Sequence, residues 1–394
     1  MGRRAIIMVL DGVGVGNAPD AAEFGDEGSD TLGNTARRVG GLSMPNMQAL
    51  GLGNIAGIEG VTPAGSPGAS WGLAVEHSAA KATLAGHWEM MGLVLDEPLP
   101  TYPQGFPPEI IERFERETGR KVIGNRPASG TEILEELGPE QQSSGDWILY
   151  TSADSVFQIA AHTGVIPLEE LYEACEKAHR MLIQEGQILV ERVIARPYHG
   201  EPGAYEREHT NRHDYGIEPH APTYMDLIKN AGKESVAVGK IRDIFDGKGI
   251  TDHLPGKPDD SAKVDATLEA LSNIESGFIF TNLVDFDAEY GHRRDPDGMA
   301  GNLERFDARV PELLAALSDD DLLILTADHG NDPTFRGTDH TRERVPVLAV
   351  AKDGGLPAEL GVRDGFSDLG ATVADWLGVE HGDLPGRSFL STIR

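Results

Sequence analysis

The sequence predicts an α/β protein whose mostly parallel sheet is flanked by helices and interrupted by a smaller inserted α/β domain. Three observations predict this fold class. Short apolar runs typical of buried strands recur along the chain, amphipathic segments lie between many of them, and two proline-rich stretches enclose a central segment. Strands that alternate with helices favour parallel pairing, because each helix carries the chain back to the end of the sheet where the previous strand began.

The strands and helices are assigned from hydrophobic periodicity. Apolar runs interpreted as strands are "AIIMVL" (5–10), "WILYT" (147–151), "QILVERVIA" (187–195), "SVAVG" (235–239), "GFIFTNLV" (277–284), "DLLILTA" (321–327) and "VPVLAVA" (345–351). Segments at helical spacing include "DATLEALSNIE" (265–275), "RFDARVPELLAAL" (305–317) and "DLGATVADWLG" (368–378). In a parallel sheet of this kind, ligands bind beyond the carboxyl ends of the strands.

The domain organisation is predicted from length and from proline. A chain of 394 residues is long for one domain. The proline-rich stretches "EPLPTYPQGFPP" and "GIEPHAPTY" flank a segment with strands and helices of its own. We therefore expect a core domain of residues 1–98 and 218–394, with a cap domain of residues 99–217 inserted through two hinges.

The charge balance restricts the partners. The chain has 34 basic against 64 acidic residues, a formal net charge of −30. This charge repels nucleic acid and anionic membrane surfaces, so neither is expected as a partner. It also repels small anionic substrates, unless bound cations reverse the local field.

Two features favour a cytoplasmic protein. The single cysteine, Cys175, leaves no partner for an internal disulfide, and its helical apolar surroundings indicate a packing role. The first apolar run is too short for a signal peptide, and no run approaches membrane-spanning length.

Residues capable of binding metals follow three of the predicted strands. Asp11 follows the first run, Asp285 and Asp287 follow "GFIFTNLV", and Asp328 with His329 follows "DLLILTA". If the chain is still extended at Asp285 and Asp287, both side chains face the same way. Because parallel strands end at one edge of a sheet, these side chains are expected to meet there.

Two further histidines follow these residues closely in the sequence. His292 follows Asp287 after a short loop, and His340 belongs to a second Asp-His pair in which Asp339 is expected to orient an imidazole. Each residue alone is more typical of a cap, a turn or a surface group. Six ligands at one edge are too many for a single ion that keeps a water, so two cations about 3.5–4 Å apart are favoured.

A candidate nucleophile lies in "KATLAGHWEMMGL" (81–93), where Thr83 is the only hydroxyl. A threonine hydroxyl is too weak an acid to attack phosphorus unaided, but coordination to a metal can supply the alkoxide. Threonines that cap helices are much more common than nucleophilic ones, so the position alone is weak support.

Taken together, these residues resemble a known family, the phosphopentomutases of the alkaline-phosphatase-like superfamily. The likeness extends from Asp11 to at least Val350, and its longer motifs are specific. The motifs that carry it are "DGVGVGNAPDAAEFGDEGSDTLGN", "GHWEMMGL", "ASGTEIL", "YTSADSVFQIAAH", "RVIARPY", "NRHDYG", "NLVDFDAEYGHRRDP" and "TADHGNDPTFRGTDHTRERVPVLA".

The resemblance implies roles for individual residues. It implies one Mn²⁺ held by Asp287, His292 and His340, a second Mn²⁺ held by Asp11, Asp328 and His329, and a phosphorylated Thr83 between them. The substrate contacts that it implies are Ser152, Asp154, Arg192, Ile194, Arg207 and Lys240. The sequence departs from the family next to the nucleophile. Ala82 and Ala85 stand where family members have an acidic residue and a second threonine.

The activity implied is the interconversion of ribose 1-phosphate and ribose 5-phosphate, and of the 2-deoxyribose pair. It would proceed through a phosphothreonine and a sugar bisphosphate, which also serves as activator. A closing cap would exclude water. The oligomeric state stays open.

The main alternative is a metal-dependent phosphomonoesterase, in which water accepts the phosphoryl group. A sulfatase is excluded because the sole cysteine lies in "EACEKAH", and serine-dependent relatives lack "GHWE". "DGVGVGN" only weakly resembles a dinucleotide-binding loop, since Asp11 would repel a pyrophosphate.

Overall fold

The computed structural model describes residues 2–152, 155–185, 189–353 and 355–394. The chain forms two compact units. The first consists of Met1–Glu97 and Pro219–Arg394, and the second, Pro98–Glu218, is a continuous segment inserted into the first. The junctions between the units fall within the two proline-rich stretches of the sequence.

The strands of the described residues are numbered in chain order. They are β1 (Arg4–Leu10), β2 (Ser70–Val75), β3 (Val122–Pro127), β4 (Trp147–Thr151), β5 (Val156–His162), β6 (Arg192–Glu201), β7 (Ala204–Arg207), β8 (His213–Gly216), β9 (Glu234–Val238), β10 (Asp252–Leu254), β11 (Gly277–Leu283), β12 (Asp321–Thr326), β13 (Val345–Ala351) and β14 (Glu359–Asp364).

The helices are numbered in the same way. They are α1 (Ala21–Phe24), α2 (Thr31–Val39), α3 (Pro45–Leu50), α4 (Leu52–Ile55), α5 (Thr83–Met90), α6 (Pro108–Thr118), α7 (Gly130–Ser144), α8 (Leu168–His179), α9 (Tyr224–Asn230), α10 (Ile241–Ile244), α11 (Asp260–Asn273), α12 (Pro296–Ala316), α13 (Ser367–Leu377) and α14 (Leu390–Ile393). Two π-helical turns, Arg180–Gln184 and Phe286–Gly291, and one 3₁₀ turn, His209–Asn211, complete the described elements.

The first unit is built on a sheet with the strand order β10-β9-β11-β1-β12-β13-β2-β14. The central strands β9, β11, β1 and β12 run parallel, whereas β13 is antiparallel to both of its neighbours. Nearly every residue of β1, β11 and β12 is buried, as expected for strands covered on both faces. The sheet therefore brings the ends of β1, β11 and β12 to one edge.

The second unit has its own sheet, of order β3-β4-β5-β6-β7, with β8 also paired to β6. Helix α7 packs on this sheet through a buried cluster of Ile133, Leu134, Ile148, Tyr150, Ala160 and Tyr198. Cys175 is fully buried on α8, where burial raises the pKa of its thiol well above the usual value. Its environment therefore suits packing rather than chemistry.

Strand boundaries differ from the prediction in the second unit. The run "QILVERVIA" predicts a strand from residue 187, but β6 begins at Arg192, and residues 186–188 lie outside the described part of the chain. The Glu191 main-chain N–H instead donates a hydrogen bond to Ser155 O at 2.7 Å. An apolar run therefore indicates burial here but does not fix where pairing starts. Among the described helices, none is both long and apolar enough to cross a bilayer.

Candidate metal centre and nucleophile

Three strand ends deliver side chains to one edge of the first unit's sheet. Asp11 directly follows β1, and the Asp11 main-chain N–H donates to Leu283 O at the end of β11, at 3.2 Å. Asp328 and His329 come just after β12 ends. Asp11, Asp328 and His329 are almost completely buried, each with at most 1% of its surface exposed. The parallel arrangement of β1, β11 and β12 therefore concentrates acidic and imidazole groups in the protein interior.

The chain after β11 is not extended, so the expectation that Asp285 and Asp287 face the same way is wrong. The strand ends at Leu283, and Phe286–Gly291 forms a π-helical turn. This turn separates the two carboxylates. Asp285 accepts from Lys263 Nζ at 3.4 Å, whereas Asp287 joins a buried group of potential metal ligands.

One group of potential ligands consists of Asp11, Asp328 and His329, whose ligand atoms lie within 4.8 Å of one another. His329 Nε2 is 3.4 Å from Asp11 Oδ1 and 3.3 Å from Asp328 Oδ2. Asp328 Oδ2 is buried and accepts no well-directed hydrogen bond, although His329 and His87 place ring nitrogens within 3.3 Å of it. An unsatisfied buried carboxylate oxygen is costly unless a cation binds it, so this donor set fits a divalent ion.

A second group consists of Asp287, His329 and His340, again with ligand atoms within 4.8 Å of one another. His292 adjoins it, because His292 Nε2 is 3.3 Å from Asp287 Oδ2 and 3.1 Å from His340 Nε2. His329 thus belongs to both groups, and its ring stacks on that of His340 with centroids 4.0 Å apart. All six residues that the sequence indicated as ligands lie in this one cluster.

The three imidazoles are held in a common tautomer. Each directs Nδ1 at a main-chain carbonyl oxygen, which can only accept, so each Nδ1 must carry the hydrogen. The carbonyl partners are Thr338 O for His292 at 2.8 Å, Gly330 O for His329 at 3.0 Å, and Lys81 O for His340 at 2.8 Å. When such a ring is neutral, its hydrogen is on Nδ1 and its Nε2 is free to bind a metal ion, which is the arrangement of histidines that bind metal.

Asp339 does not orient an imidazole, contrary to the sequence-based expectation. Its Oδ1 accepts from the His340 main-chain N–H at 2.9 Å, and its Oδ2 pairs with Lys81 Nζ at 3.2 Å. The Asp339 carboxylate is thus occupied by a main-chain N–H and a lysine, and neither oxygen bonds a ring nitrogen of His340. Main-chain carbonyls take the orienting role instead.

Burial and neighbouring charges shift the pKa values of the cluster's side chains in opposite directions. Burial, followed by the charge of Asp328, raises the pKa of Asp11. For Asp328 burial acts in the same direction, but His329 and His87 outweigh it and hold the pKa at about 2. Burial lowers the pKa of His329, yet Asp328 and Asp11 outweigh this effect and raise it well above the usual value. The cluster thus favours a positive charge, which a proton or a metal ion can supply.

Thr83 opens helix α5 beside the first ligand group. Its Oγ1 lies 3.4 Å from Asp11 Oδ1 and 3.2 Å from His329 Nε2, and only 9% of the residue is exposed. Ala82, the residue before the helix, provides no side-chain cap. The first-turn N–H groups of a helix favour negative charge nearby. The hydroxyl is thus placed where it can share the ligand environment of Asp11 and His329.

Sequence reasoning missed the polar residues that support the ligands. His87 Nδ1 lies 2.8 Å from Thr83 O and 3.1 Å from Asp328 Oδ2. Asn282 Nδ2 donates to Asp11 Oδ2 at 2.7 Å. The signal for Asn282 was available, because an amide inside the apolar run "GFIFTNLV" requires a buried polar partner.

Two of the residues implied as substrate contacts are Lys240 and Asp154. Lys240 lies in the first unit, where it precedes helix α10, and it is half-buried. Asp154 lies outside the residues that the structure describes. Neither position tests the implied role.

The other implied contacts lie in the second unit. Ser152 follows β4, Arg192 begins β6, and Arg207 ends β7. Arg192 forms an ion pair of 2.9 Å with Glu191. Ile194 is 3% exposed within β6, so its side chain belongs to the interior of the unit. Strands β6 and β7 are neighbours in the sheet, whereas β5 lies between β4 and β6. The role of these residues toward a substrate stays a prediction.

Comparison with known proteins gives a family. The chain matches the model of the metalloenzyme superfamily over residues 3–381. It is 51% identical over 377 residues to a phosphopentomutase of Alkaliphilus metalliredigens, covering 96% of each chain. It is 52% identical over 391 residues to a phosphopentomutase of Desulfitobacterium hafniense, covering 99% of this chain and 100% of the relative.

Solved structures agree on the fold. A protein from Pyrococcus horikoshii aligns with a TM-score of 0.51 at 16% identity, covering 97% of this chain and 99% of that one. Phosphoglycerate mutase from Leishmania mexicana, studied at low cobalt concentration, aligns with a TM-score of 0.50 at 14% identity, covering 98% and 97%. These likenesses confirm the predicted fold class. The sequence relatives confirm the predicted resemblance, and the chain belongs to the phosphopentomutase family, within the metalloenzyme superfamily.

Proposed function

We propose that this enzyme interconverts ribose 1-phosphate and ribose 5-phosphate, and the 2-deoxyribose equivalents, through a phosphorylated Thr83. The observation that carries the proposal is the position of the Thr83 hydroxyl, 3.4 Å from Asp11 Oδ1 and 3.2 Å from His329 Nε2. A hydroxyl within reach of a metal-ligand group can act as a nucleophile. Relatives named phosphopentomutase, at 51–52% identity, support the choice of substrate.

As a metalloenzyme with two ligand groups, the chain binds divalent metal. Mixed carboxylate and imidazole ligands suit Mn²⁺, which we propose as the ion. The proposed ligands are Asp287, His292 and His340 for one ion, and Asp11, Asp328 and His329 for the other. When bound, such ions lower the pKa of a coordinated hydroxyl and offset the charge of the transferring phosphoryl group.

The proposed cycle moves one phosphoryl group at a time. The phosphoryl group on Thr83 Oγ1 passes to the free hydroxyl of the pentose phosphate, which gives a bisphosphate. The bisphosphate turns around, its other phosphoryl group returns to Thr83 Oγ1, and the isomeric monophosphate leaves. A sugar bisphosphate would prime an unphosphorylated enzyme by the second of these transfers. Throughout, the tautomers of the three histidines keep Nε2 available as ligand atoms.

The remaining proposed roles concern substrate recognition. We propose Lys240, Arg192 and Arg207 as cationic contacts to the phosphate groups, since guanidinium groups can bind phosphate in a bidentate manner. Ser152, Asp154 and Ile194 are proposed as contacts to the rest of the sugar phosphate. The family motifs "YTSADSVFQIAAH" and "RVIARPY" contain four of these residues and support their assignment, namely Ser152, Asp154, Arg192 and Ile194.

The nucleophile is tested by intact mass. Incubation with ribose 1,5-bisphosphate should add one phosphate to the enzyme, and Thr83→Ala should abolish this gain. Thr83→Ser should keep it, because it retains the hydroxyl. Thr62→Ala, at an exposed position in the same unit, serves as control. Equal phosphate gain in Thr83→Ala would refute the assignment.

The activity itself is tested by a coupled assay with ribose 5-phosphate and Mn²⁺. The mutase predicts formation of ribose 1-phosphate without net release of inorganic phosphate. Free phosphate without ribose 1-phosphate would instead identify a phosphomonoesterase, since water would then be the acceptor of the phosphoryl group.

A further inference from the structure

The side chain of Arg294 makes an unusual set of hydrogen bonds next to the second ligand group. Its guanidinium donates to oxygens on two separate segments, and none of these oxygens belongs to a carboxylate. The acceptors are Gly291 O at 3.1 Å, Asn331 Oδ1 at 2.7 Å, Asp332 O at 2.9 Å, Gly337 O at 2.5 Å and Asp339 O at 3.0 Å. One acceptor lies in the π-helical turn of Asp287, and the others lie in the loop that leads to His340.

Arg294 contacts the residues on both sides of the carbonyl that orients His292. The Thr338 carbonyl oxygen accepts from His292 Nδ1 at 2.8 Å. Its neighbours in sequence, Gly337 and Asp339, both direct their carbonyl oxygens to the Arg294 guanidinium. The guanidinium therefore fixes the peptide groups that flank Thr338, and with them the direction of the hydrogen bond that sets the ring of His292.

The same guanidinium also contacts residues that position Asp287 and His340, the other two proposed ligands of this cation. Because Asn331 Oδ1 accepts from Arg294, Asn331 Nδ2 is turned to donate to Asp287 Oδ1, at 2.7 Å. Asp339, whose carbonyl oxygen Arg294 holds, is followed directly by His340. Arg294 thus contacts Asn331, which bonds Asp287, and the residues on either side of Thr338, which bonds His292; the second of these, Asp339, precedes His340.

The main chain at Arg294 adds an independent observation. Arg294 has φ 55°, in the left-handed region that side-chain-bearing residues seldom adopt. Such a conformation persists only where surrounding contacts impose it, and it is common at functional sites. The adjacent Arg293 offers a contrast, because it is an exposed residue paired with Glu289 at 2.7 Å. Of these two neighbouring arginines, only Arg294 turns toward the ligand-bearing loops.

We propose that Arg294 is a positioning residue that holds Asp287, His292 and His340 in the geometry required by one cation. This inference rests on the two-cation function proposed above. Arg294 touches neither ligand atoms nor, in this role, the substrate. It sets the affinity of one cation site through hydrogen bonds to the groups that orient its ligands, an effect that typically changes metal affinity 10- to 100-fold. A lysine cannot replace Arg294, because a single ammonium group cannot reach all of the acceptors that surround the planar guanidinium group.

The experiment compares Arg294→Lys and Arg294→Gly with the parent and with the control Arg293→Lys. Mn²⁺ binding to the full-length chain is measured by equilibrium dialysis and by electron paramagnetic resonance, alongside Tm. Both Arg294 variants should bind one Mn²⁺ about 10- to 100-fold more weakly and keep parental affinity for the other. Saturating Mn²⁺ should restore most of kcat, with KM for ribose 5-phosphate unchanged. Arg293→Lys should match the parent.

The glycine variant separates the side chain from the backbone, because glycine adopts φ 55° without strain. Parental Mn²⁺ affinity in Arg294→Gly would show that only the backbone matters and would overturn the inference. Equal weakening at both cation sites, with a Tm lowered to match, would assign Arg294 to general stability and also overturn it. A parent chain that binds no pair of Mn²⁺ ions would instead refute the proposed function, and this inference with it.

Discussion

Gly86 packs directly against the main chain of Asp328. A β-carbon at Gly86 would lie 2.3 Å from the Asp328 carbonyl oxygen and 2.9 Å from the Asp328 β-carbon. Gly86 belongs to helix α5, which Thr83 opens, and Asp328 follows strand β12. The absence of a side chain at Gly86 therefore lets helix α5, which carries the proposed nucleophile, approach the strand end that carries proposed metal ligands.

We predict that Gly86→Ala impairs activity strongly while the chain still folds. Alanine normally stabilises a helix over glycine by about 0.5–1 kcal/mol, but here the added methyl must displace backbone, at a cost of about 1–3 kcal/mol. A shift of the helix by a fraction of an ångström would misplace Thr83, and a displacement of about 1 Å can cost roughly 100-fold in rate. The measurements are kcat and chemical denaturation.

The matched control is Gly301→Ala on helix α12. A β-carbon there would meet only the Arg305 guanidinium, at 3.2 Å, and this flexible side chain can move. The control should be as stable as the parent or more so, with unchanged kcat. Parental activity in Gly86→Ala would show that helix α5 can shift without loss of function.

A second prediction concerns metal removal and Asp11. The pKa of Asp11 is raised by burial and then by the charge of Asp328, so the ionised carboxylate destabilises the metal-free protein at neutral pH. Asp11→Asn should therefore raise the Tm of the chelator-treated protein. The same variant should lose most of its activity, since a proposed metal ligand is removed.

The difference in Tm between Asp11→Asn and the parent should depend on pH. An acid whose folded-state pKa is raised contributes stability at low pH and loses it as pH rises through the folded pKa. The advantage of Asp11→Asn over the parent, measured as Tm in chelator, should therefore grow from pH 4 toward neutrality. A variant that is less stable than the chelated parent at pH 7 would contradict the prediction.

A third prediction concerns Glu343, a buried carboxyl that is not among the six proposed ligands. It accepts hydrogen bonds from Thr31 N at 2.8 Å, Thr31 Oγ1 at 2.9 Å and Thr341 Oγ1 at 2.7 Å. Burial nevertheless raises its pKa to about 8, from an ordinary value of 4.5. The folded state thus binds this proton more tightly, and stability is lost as pH rises from about 4.5 to about 8.

Glu343→Gln should remove this component of the pH dependence, because glutamine stays neutral. Each pKa unit corresponds to about 1.4 kcal/mol. Between pH 5 and pH 8.5, the free energy of unfolding of the variant should therefore rise by up to several kcal/mol relative to that of the parent. The free energy of unfolding in urea at several pH values measures it. Glu27→Gln, at an exposed position, should retain the parental slope. A parental slope in Glu343→Gln would contradict the raised pKa.

The sequence by itself determined the parallel core and the strands that supply the ligands. Strands such as β1 and β12 are continuous apolar runs followed at once by Asp11 and by Asp328 with His329. This pattern can be recognised in the local sequence. A buried parallel strand needs apolar residues, and the polar residues that follow it lie beyond the carboxyl edge of the sheet. The family motifs likewise indicated Thr83 as the nucleophile, a role that stays a proposal.

Only the tertiary structure decided how these groups meet. The hydrogen bonds of the π-helical turn that separates Asp285 from Asp287 cannot be predicted from the periodicity of the residues. His329 belongs to both ligand groups, and the histidines are oriented by main-chain carbonyls rather than by Asp339. The contact of Gly86 with Asp328 and the hydrogen bonds of Arg294 join residues far apart in sequence. Such contacts depend on strand register and loop path, which no local pattern of residues fixes.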